Sequence, residues 1–297
     1  MIERSSRERK PDGFIIVAVL WILGALATLA SIYAVYIIDT ATAGRVQDDR
    51  VQAEGMISAG LELTALQVTA KPGGVRPDNG SFDFRMGNGV ASVQFSSEGG
   101  RVDLNAAPKE VLAGLFAVLG ARPEDALNYA DRVVGWRTKP KRGQEDPEAA
   151  LYQTAGLRYP PRGGPFQHPG ELWLVHGLPE ALVERAMPLV TVYTGKAEIN
   201  ILDAPPDVLA ALPGMTPDIL RAVLAQRQLT PQNGQLVLSL LGPSSTGVTI
   251  EPTKSLRVDV RVRFDNGRQM SSQVVIFVGD VDNEPYRVLS WRDGMDE

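Results

Sequence analysis

Residue types able to carry out chemistry are few in this chain, and they stand apart. The two histidines, His168 and His176, are separated by a short predicted helix. His168 precedes Pro169, where that helix is expected to begin, and His176 precedes Gly177, so both placements predict structural roles. The absence of cysteine excludes disulfides, thiolate nucleophiles and cysteine-rich metal sites. No Gly-x-Ser-x-Gly elbow, phosphate loop, Gly-x-Gly-x-x-Gly or His-Glu-x-x-His is present. Asp280, Asp282, Asn283 and Glu284 could gather around a hard cation, but a solvated loop before the last expected strand is the simpler reading. The sequence therefore assigns no catalytic, cofactor-binding or metal-binding residue, and the expected cofactor is none.

Phosphate contacts are the next chemistry to weigh. Leu119-Gly120-Ala121-Arg122-Pro123, Val175-His176-Gly177-Leu178-Pro179 and Leu212-Pro213-Gly214-Met215-Thr216-Pro217 each read as helix, glycine turn, helix. They resemble helix-hairpin-helix modules, whose glycine-turn amides meet nucleic-acid phosphates. Here the following helices begin with Glu124-Asp125, Glu180 and Asp218, and the net charge is −5. Acids at those positions oppose a polyanion, whose binding depends on cationic contacts. The turns are expected to be scaffold, and no nucleic-acid partner is expected.

The element that positions everything else is the apolar run Phe14 to Ile38, whose only polar side chains are Thr28, Ser31, Tyr33 and Tyr36. As a helix it would be roughly 37 Å long, against about 30 Å of bilayer hydrocarbon. No small-x-small cleavage site follows Ile38, so the run predicts a retained transmembrane helix rather than a secretory signal. Arg4, Arg7, Arg9 and Lys10 precede it and Arg45 and Arg50 follow, a bias that favours a cytoplasmic N-terminus. The leader ends Lys10-Pro11-Asp12-Gly13 and the apolar run starts abruptly at Phe14. A small residue at that boundary resembles the processing site of type IV prepilins and type II secretion pseudopilins. The resemblance implies cleavage after Gly13 by a prepilin peptidase and methylation of Phe14.

The remainder of the chain leaves roughly 225 residues for one or two soluble domains, and the 297 residues as a whole are 44% hydrophobic and 22% charged. Apolar positions at helical spacing continue through Asp39–Ala70, and Pro72-Gly73-Gly74 would stop that helix. Ser81–Arg85 and Val90–Phe95 alternate about Met86-Gly87-Asn88-Gly89 and predict a hairpin. Arg101–Leu104 predicts a short strand. A diverged repeat then joins Gly100–Asn105 to Gly195–Asn200, and Ala107–Leu112 to Ala204–Leu209. Each copy predicts a strand ending at Asn and a helix opening with Pro, followed by an acid suited to a helix N-terminus. The repeats are expected to mark the exit from and the return to one sheet. Between them, Pro123–Trp136, Glu171–Val175 and Pro179–Leu189 predict helices, and Thr138–Gln167 a long Pro/Gly-rich loop. Pro217–Arg227 is a further helix. Strands are expected at Ser255–Phe264, Met270–Val278 and Arg287–Trp291, the first two joined by Asp265-Asn266-Gly267.

Assembled, these features resemble the type II secretion minor pseudopilin K family over nearly the whole chain. The marks are the leader with Gly13, the Val19-Leu20-Trp21 run, the paired Asn/Ala-Pro repeats, Glu171-Leu172 leading to Gly177, and the Pro285–Arg292 ending. The resemblance implies an α+β, pilin-like fold: a long N-terminal transmembrane helix packed on an antiparallel sheet, with a large all-helical inserted subdomain. The expected parts are a leader 1–13, a transmembrane helix 14–38, its periplasmic continuation 39–71, pilin-like parts at 72–105 and 195–297, and the insert at 106–194. The implied role is a non-enzymatic tip subunit partnered by minor pseudopilins I and J in the inner membrane, with most of the chain periplasmic. Calcium-associated aspartates of the family often follow the insert's tryptophan. Here Trp136 is followed by Arg137, Thr138, Lys139 and Pro140, although Gly143-Gln144-Glu145-Asp146 matches the later part. Cations in place of oxygen ligands speak against calcium. Position five after the expected cut is Ala18, where most pseudopilins carry glutamate. The alternative reading is a membrane-anchored periplasmic enzyme or binding protein with its pocket in the helical subdomain. It requires convergent polar groups that the sequence does not reveal.

Overall fold

The computed structural model describes residues 12–69, 77–140, 143, 146–229, 233–242, 247–281 and 284–294. The expected leader Met1–Pro11, the stop at Pro72-Gly73-Gly74, and Gln144, Glu145, Asp282 and Asn283 lie outside the described residues. The chain divides into two compact units, Met1–Met56 and Ile57–Glu297.

Helix α1 (Asp12–Thr69) begins in the first unit and ends in the second, unbroken by Gly24, Gly44, Gly55 or Gly60. In the first unit its large apolar side chains from Ile15 to Ile37 are exposed. In the second, Ile57, Leu61, Ala65 and Val68 recur on one face and are buried. Gly60 lies at a close contact beneath them: a Cβ there would stand 3.1 Å from Val93 Cγ2, tighter than usual packing, and 3.5 Å from Val260 Cγ2.

The second unit continues with β1 (Asn79–Met86), β2 (Gly89–Ser97) and β3 (Val102–Asp103). Helices α2 (Lys109–Val118), α3 (Pro123–Arg137), α4 (Pro147–Thr154) and α5 (Glu180–Ala186) follow, then β4 (Val190–Thr191). Next come β5 (Ile199–Asn200), α6 (Pro206–Ala210), α7 (Pro217–Leu229), α8 (Gly234–Ser239) and β6 (Val248–Thr249). The chain closes with β7 (Ser255–Phe264), β8 (Gln269–Val281) and β9 (Glu284–Asp293).

Five strands form one antiparallel sheet in the order β1-β2-β7-β8-β9. Alternation explains its faces: β7 buries Leu256, Val258, Val260, Val262 and Phe264 while Asp259, Arg261 and Arg263 face solvent. Both expected hairpins form, with Gly87 (φ 59°) and Gly267 (φ 87°) at the turns in the left-handed region that glycine favours.

The expected boundaries of the helical part are corrected by the pairing. β2 neighbours β7 directly, so the chain leaves the main sheet after Ser97 and returns at Ser255. Both repeats therefore lie inside the insert rather than flanking it. Their two-residue strands pair elsewhere, β3 parallel to β4 and β5 parallel to β6. The reason is burial: Val102, Leu104, Ile199 and Ile201 pack into one core with Phe116, Leu172, Leu209 and Val237, a core to which no main-sheet strand contributes. Residues 195–254 thus belong with the helices, not with a second pilin-like part. Inside the expected Thr138–Gln167 loop, α4 forms; Asp146 caps it by accepting from Glu148 N–H at 3.0 Å, and Pro147 fills its first position.

The repeat is also in a different register from the sequence pairing. Asp103, not Asn105, is the counterpart of Asn200. Asn105 N–H donates to Asp103 Oδ1 at 2.8 Å, as Leu202 N–H does to Asn200 Oδ1 at 2.9 Å. Ala107 N–H and Ala204 N–H reach back to the carbonyls of Asp103 and Asn200 at 2.8 and 2.9 Å. With Pro108 matched to Pro205, one offset serves strand, turn and helix start alike.

Candidate functional site

The first candidate is the apolar helix. Ile15–Ile37 is the one segment among the described residues long and apolar enough to cross a membrane, and it is 23 residues long. Its Thr28 and Ser31 hydroxyls are satisfied within the helix: Thr28 Oγ1 donates to Gly24 O at 3.0 Å and Ala25 O at 2.8 Å, and Ser31 Oγ donates to Ala27 O at 2.9 Å. This is what a hydrocarbon solvent demands of polar groups. The Gly13–Phe14 peptide lies in the first turn of α1, where amides lack an intrahelical acceptor and opening the backbone costs least. Ala18 sits one turn further along, in a stretch of side chains that carry no charge.

The second candidate is the helical insert. Each predicted glycine turn is present, with φ of 94° at Gly120, 84° at Gly177 and 78° at Gly214. The acids that follow occupy helix first turns, where they satisfy the positive dipole end and oppose an incoming phosphate. His168 caps the short 3-10 turn Pro169–Leu174, its Nδ1 accepting from Gly170 N–H at 2.9 Å. His176 donates its backbone N–H to the Tyr152 hydroxyl at 2.8 Å and stacks edgewise on that ring. Burial pushes the pKa of the Tyr152 hydroxyl up to about 12, so it remains protonated. Both histidines are engaged as structural parts.

The positions directly after Trp136 hold Arg137, Thr138 and Lys139 in place of carboxylate ligands. Arg137 points its guanidinium at the carbonyls of Leu104 and Ala107, the latter at 2.7 Å, and so locks α3 onto the first repeat turn. Trp136 Nε1 donates to Glu171 Oε2 at 3.2 Å, and Arg162 pairs with the other oxygen at 3.0 Å. Nearby, Glu148 faces Arg132 at 2.8 Å, and burial raises its carboxyl above the ordinary range. Among the described residues no group of three or more acidic, histidine or cysteine side chains is placed to hold a metal.

Nothing in the sequence pattern points to the buried carboxylate of Glu98, in the turn after β2. It receives Arg257 of β7 at 2.7 Å and Arg101 at 3.1 Å, and Thr191 of β4 donates its hydroxyl to the same group. Arg101 also donates to the carbonyl of Pro188 at 3.1 Å. One acid thereby ties the main sheet to the insert. A Glu-Gly-Gly turn between two strands carries no periodicity that would single it out.

Residues 90–195 match the family model for type II secretion system (T2SS), protein K. The chain is similar to T2SS protein K. That stretch runs from β2 through β4 and takes in the first repeat, the first two glycine turns and the Glu98 turn. By structure, a chain of the GspK-GspI-GspJ complex from the enterotoxigenic Escherichia coli type 2 secretion system has the same fold. The TM-score is 0.66 at 17% identity, over 84% of this chain and 98% of that one. A comparison with curated proteins by sequence finds no match. The protein K likeness agrees with the expected α+β architecture, with an N-terminal apolar helix, an antiparallel sheet and a helical insert.

Proposed function

We propose that this protein is a non-enzymatic minor pseudopilin of a type II secretion system, held in the inner membrane by Ile15–Ile37, with Ile57–Glu297 in the periplasm. The observation that carries this reading is the protein K match over residues 90–195 in a chain that also opens with an apolar helix. The GspK-GspI-GspJ complex supports minor pseudopilins I and J as its partners. Co-purification tests the reading: detergent-extracted protein should bring down pseudopilins I and J from cells that express all three. A chain that ignores both would favour a membrane-anchored binding protein instead.

Two finer points belong to the same reading. A prepilin peptidase cuts after Gly13 and Phe14 is methylated; Gly13→Val should leave the leader attached, and a mass starting at Met1 in peptidase-competent cells would refute the cut. From Ala18 we infer a place at the very tip. A carboxylate in lipid is costly unless paired, and a subunit with no neighbour ahead of it has no N-terminal amine to pair with. Immunogold labels should sit at one end of each pseudopilus; labels along the shaft would overturn the tip position.

A further inference from the structure

Where the insert meets the outer face of the main sheet, a cavity of about 250 Å³ opens between the β4–β5 connection and strands β7, β8 and β9. Two guanidiniums, Arg257 and Arg292, line it together with Tyr193, Ser290 and His168, and no carboxylate does among the described residues. Its apolar wall is Met187, Pro188 and Val275.

Each polar group is held in place by something other than a ligand. Arg257 is fixed by bonds from Nε and Nη2 to the two Glu98 oxygens, at 2.7 and 3.3 Å. Glu98 already serves Arg101, so one buried carboxylate faces two guanidiniums. Arg292 is steadied by a neutral group, Gln273 Oε1 at 2.7 Å, and forms no ion pair among the described residues. Gln273 is oriented in turn by Asp259, to which its amide donates at 2.7 Å. Burial pushes the pKa of the Tyr193 hydroxyl up, with the nearby Ser290 hydroxyl pulling partly the other way, so it stays protonated and able to donate. Because His168 Nδ1 accepts from Gly170, the neutral ring carries its proton on Nε2. The cavity thus offers donors on one side and hydrocarbon on the other.

We propose that this cavity binds a carboxylate carried on a short aliphatic stem, either a free small acid or the side chain of an acidic residue on another polypeptide. A planar guanidinium matches a carboxylate in two-point contact. The hydrocarbon wall has no use for a phosphate or sulfate, which presents oxygen in every direction, but suits the methylenes behind a carboxylate. The pattern of a mostly preformed cleft with a few convergent polar groups is that of a small-ligand site. The site is independent of the secretion assignment.

The test is calorimetric titration of the full-length protein in detergent with butyrate, with a blocked Gly-Glu-Gly peptide and with inorganic phosphate. Butyrate should saturate one site, and Arg292→Gln should weaken it about tenfold or more, as loss of a charged hydrogen bond implies. Tyr193→Phe should weaken it several-fold while leaving the melting temperature close to that of the parent. Should Arg292→Gln disturb folding, the Tyr193→Phe result decides. Tighter binding of the peptide than of butyrate assigns the acid to a polypeptide; weaker binding assigns it to a free small molecule. The proposal is overturned if neither carboxylate saturates, if phosphate binds as well as butyrate, or if both variants bind like the parent.

Discussion

The two repeat units of the insert, Val102–Arg137 and Ile199–Leu229, build the same junction with different side chains. Asp103 stands in the first and Asn200 in the second, each receiving the amide two residues ahead. Asp103 does more: its Oδ2 accepts from Thr194 N–H at 3.0 Å, Thr194 Oγ1 at 2.8 Å and Gly195 N–H at 2.8 Å. The charged residue thus clamps the loop that leads into the second unit. Asn200 has a lesser task, donating to Glu251 O at 3.4 Å. The helices differ in the same sense, α2 having ten residues and α6 five. The first unit is the fastener, and the second is fastened.

Substitutions in matched positions test this contrast, each read by chemical denaturation. Asp103→Ala should cost about 3–4 kcal/mol, because three amides and a hydroxyl lose a charged acceptor, whereas Asn200→Ala should cost about 1–2 kcal/mol. Equal losses would refute the asymmetry. Gly114→Ala should cost about 2–3 kcal/mol, since its Cβ would fall 2.1 Å from the carbonyl oxygen of Ala211, where α2 meets α6. A neutral result would mean that the two units do not depend on that close approach. Arg137→Gln should cost about 2 kcal/mol and Arg227→Gln about 1 kcal/mol, because Arg137 serves two repeat carbonyls and Arg227 serves one, Ala204 O at 2.7 Å.

The smallest effect concerns Asp203, whose counterpart in the first unit is Ala106. Burial raises its carboxyl above the ordinary aspartate value, with the Ser97 hydroxyl and Arg227 pulling partly the other way. The folded state then holds a proton that the unfolded chain releases, so stability falls as pH rises from the ordinary aspartate range to the raised value and is regained on acidification. Asp203→Ala should flatten that slope and change stability near neutral pH by less than about 1 kcal/mol. An unchanged slope would remove Asp203 as its source.

Legibility followed the length and periodicity of the elements. Ser255–Phe264 matches its expected limits residue for residue, because ten alternating positions ending at Asp-Asn-Gly leave one register open. The short helix Pro147–Thr154 was masked by its Pro/Gly surroundings, although Asp146-Pro147 is a start signal. The repeat was visible, but its register was not. Two asparagines, Asn105 and Asn200, invite pairing, while the hydrogen bonds pair Asp103 with Asn200, and a carboxylate and an amide oxygen serve a backbone amide equally well.

Contiguous residue patterns were enough to define the apolar span, the hairpins, the glycine turns and the protein K resemblance. Tertiary packing was needed to set β2 beside β7, to gather both repeats into one core, and to bring Glu98, Arg101 and Arg257 together. It also turned Arg292, Tyr193 and His168 towards one cavity. Two-residue strands and single buried charges have no period. Their partners are chosen by burial and by the need to satisfy each polar group across long stretches of chain.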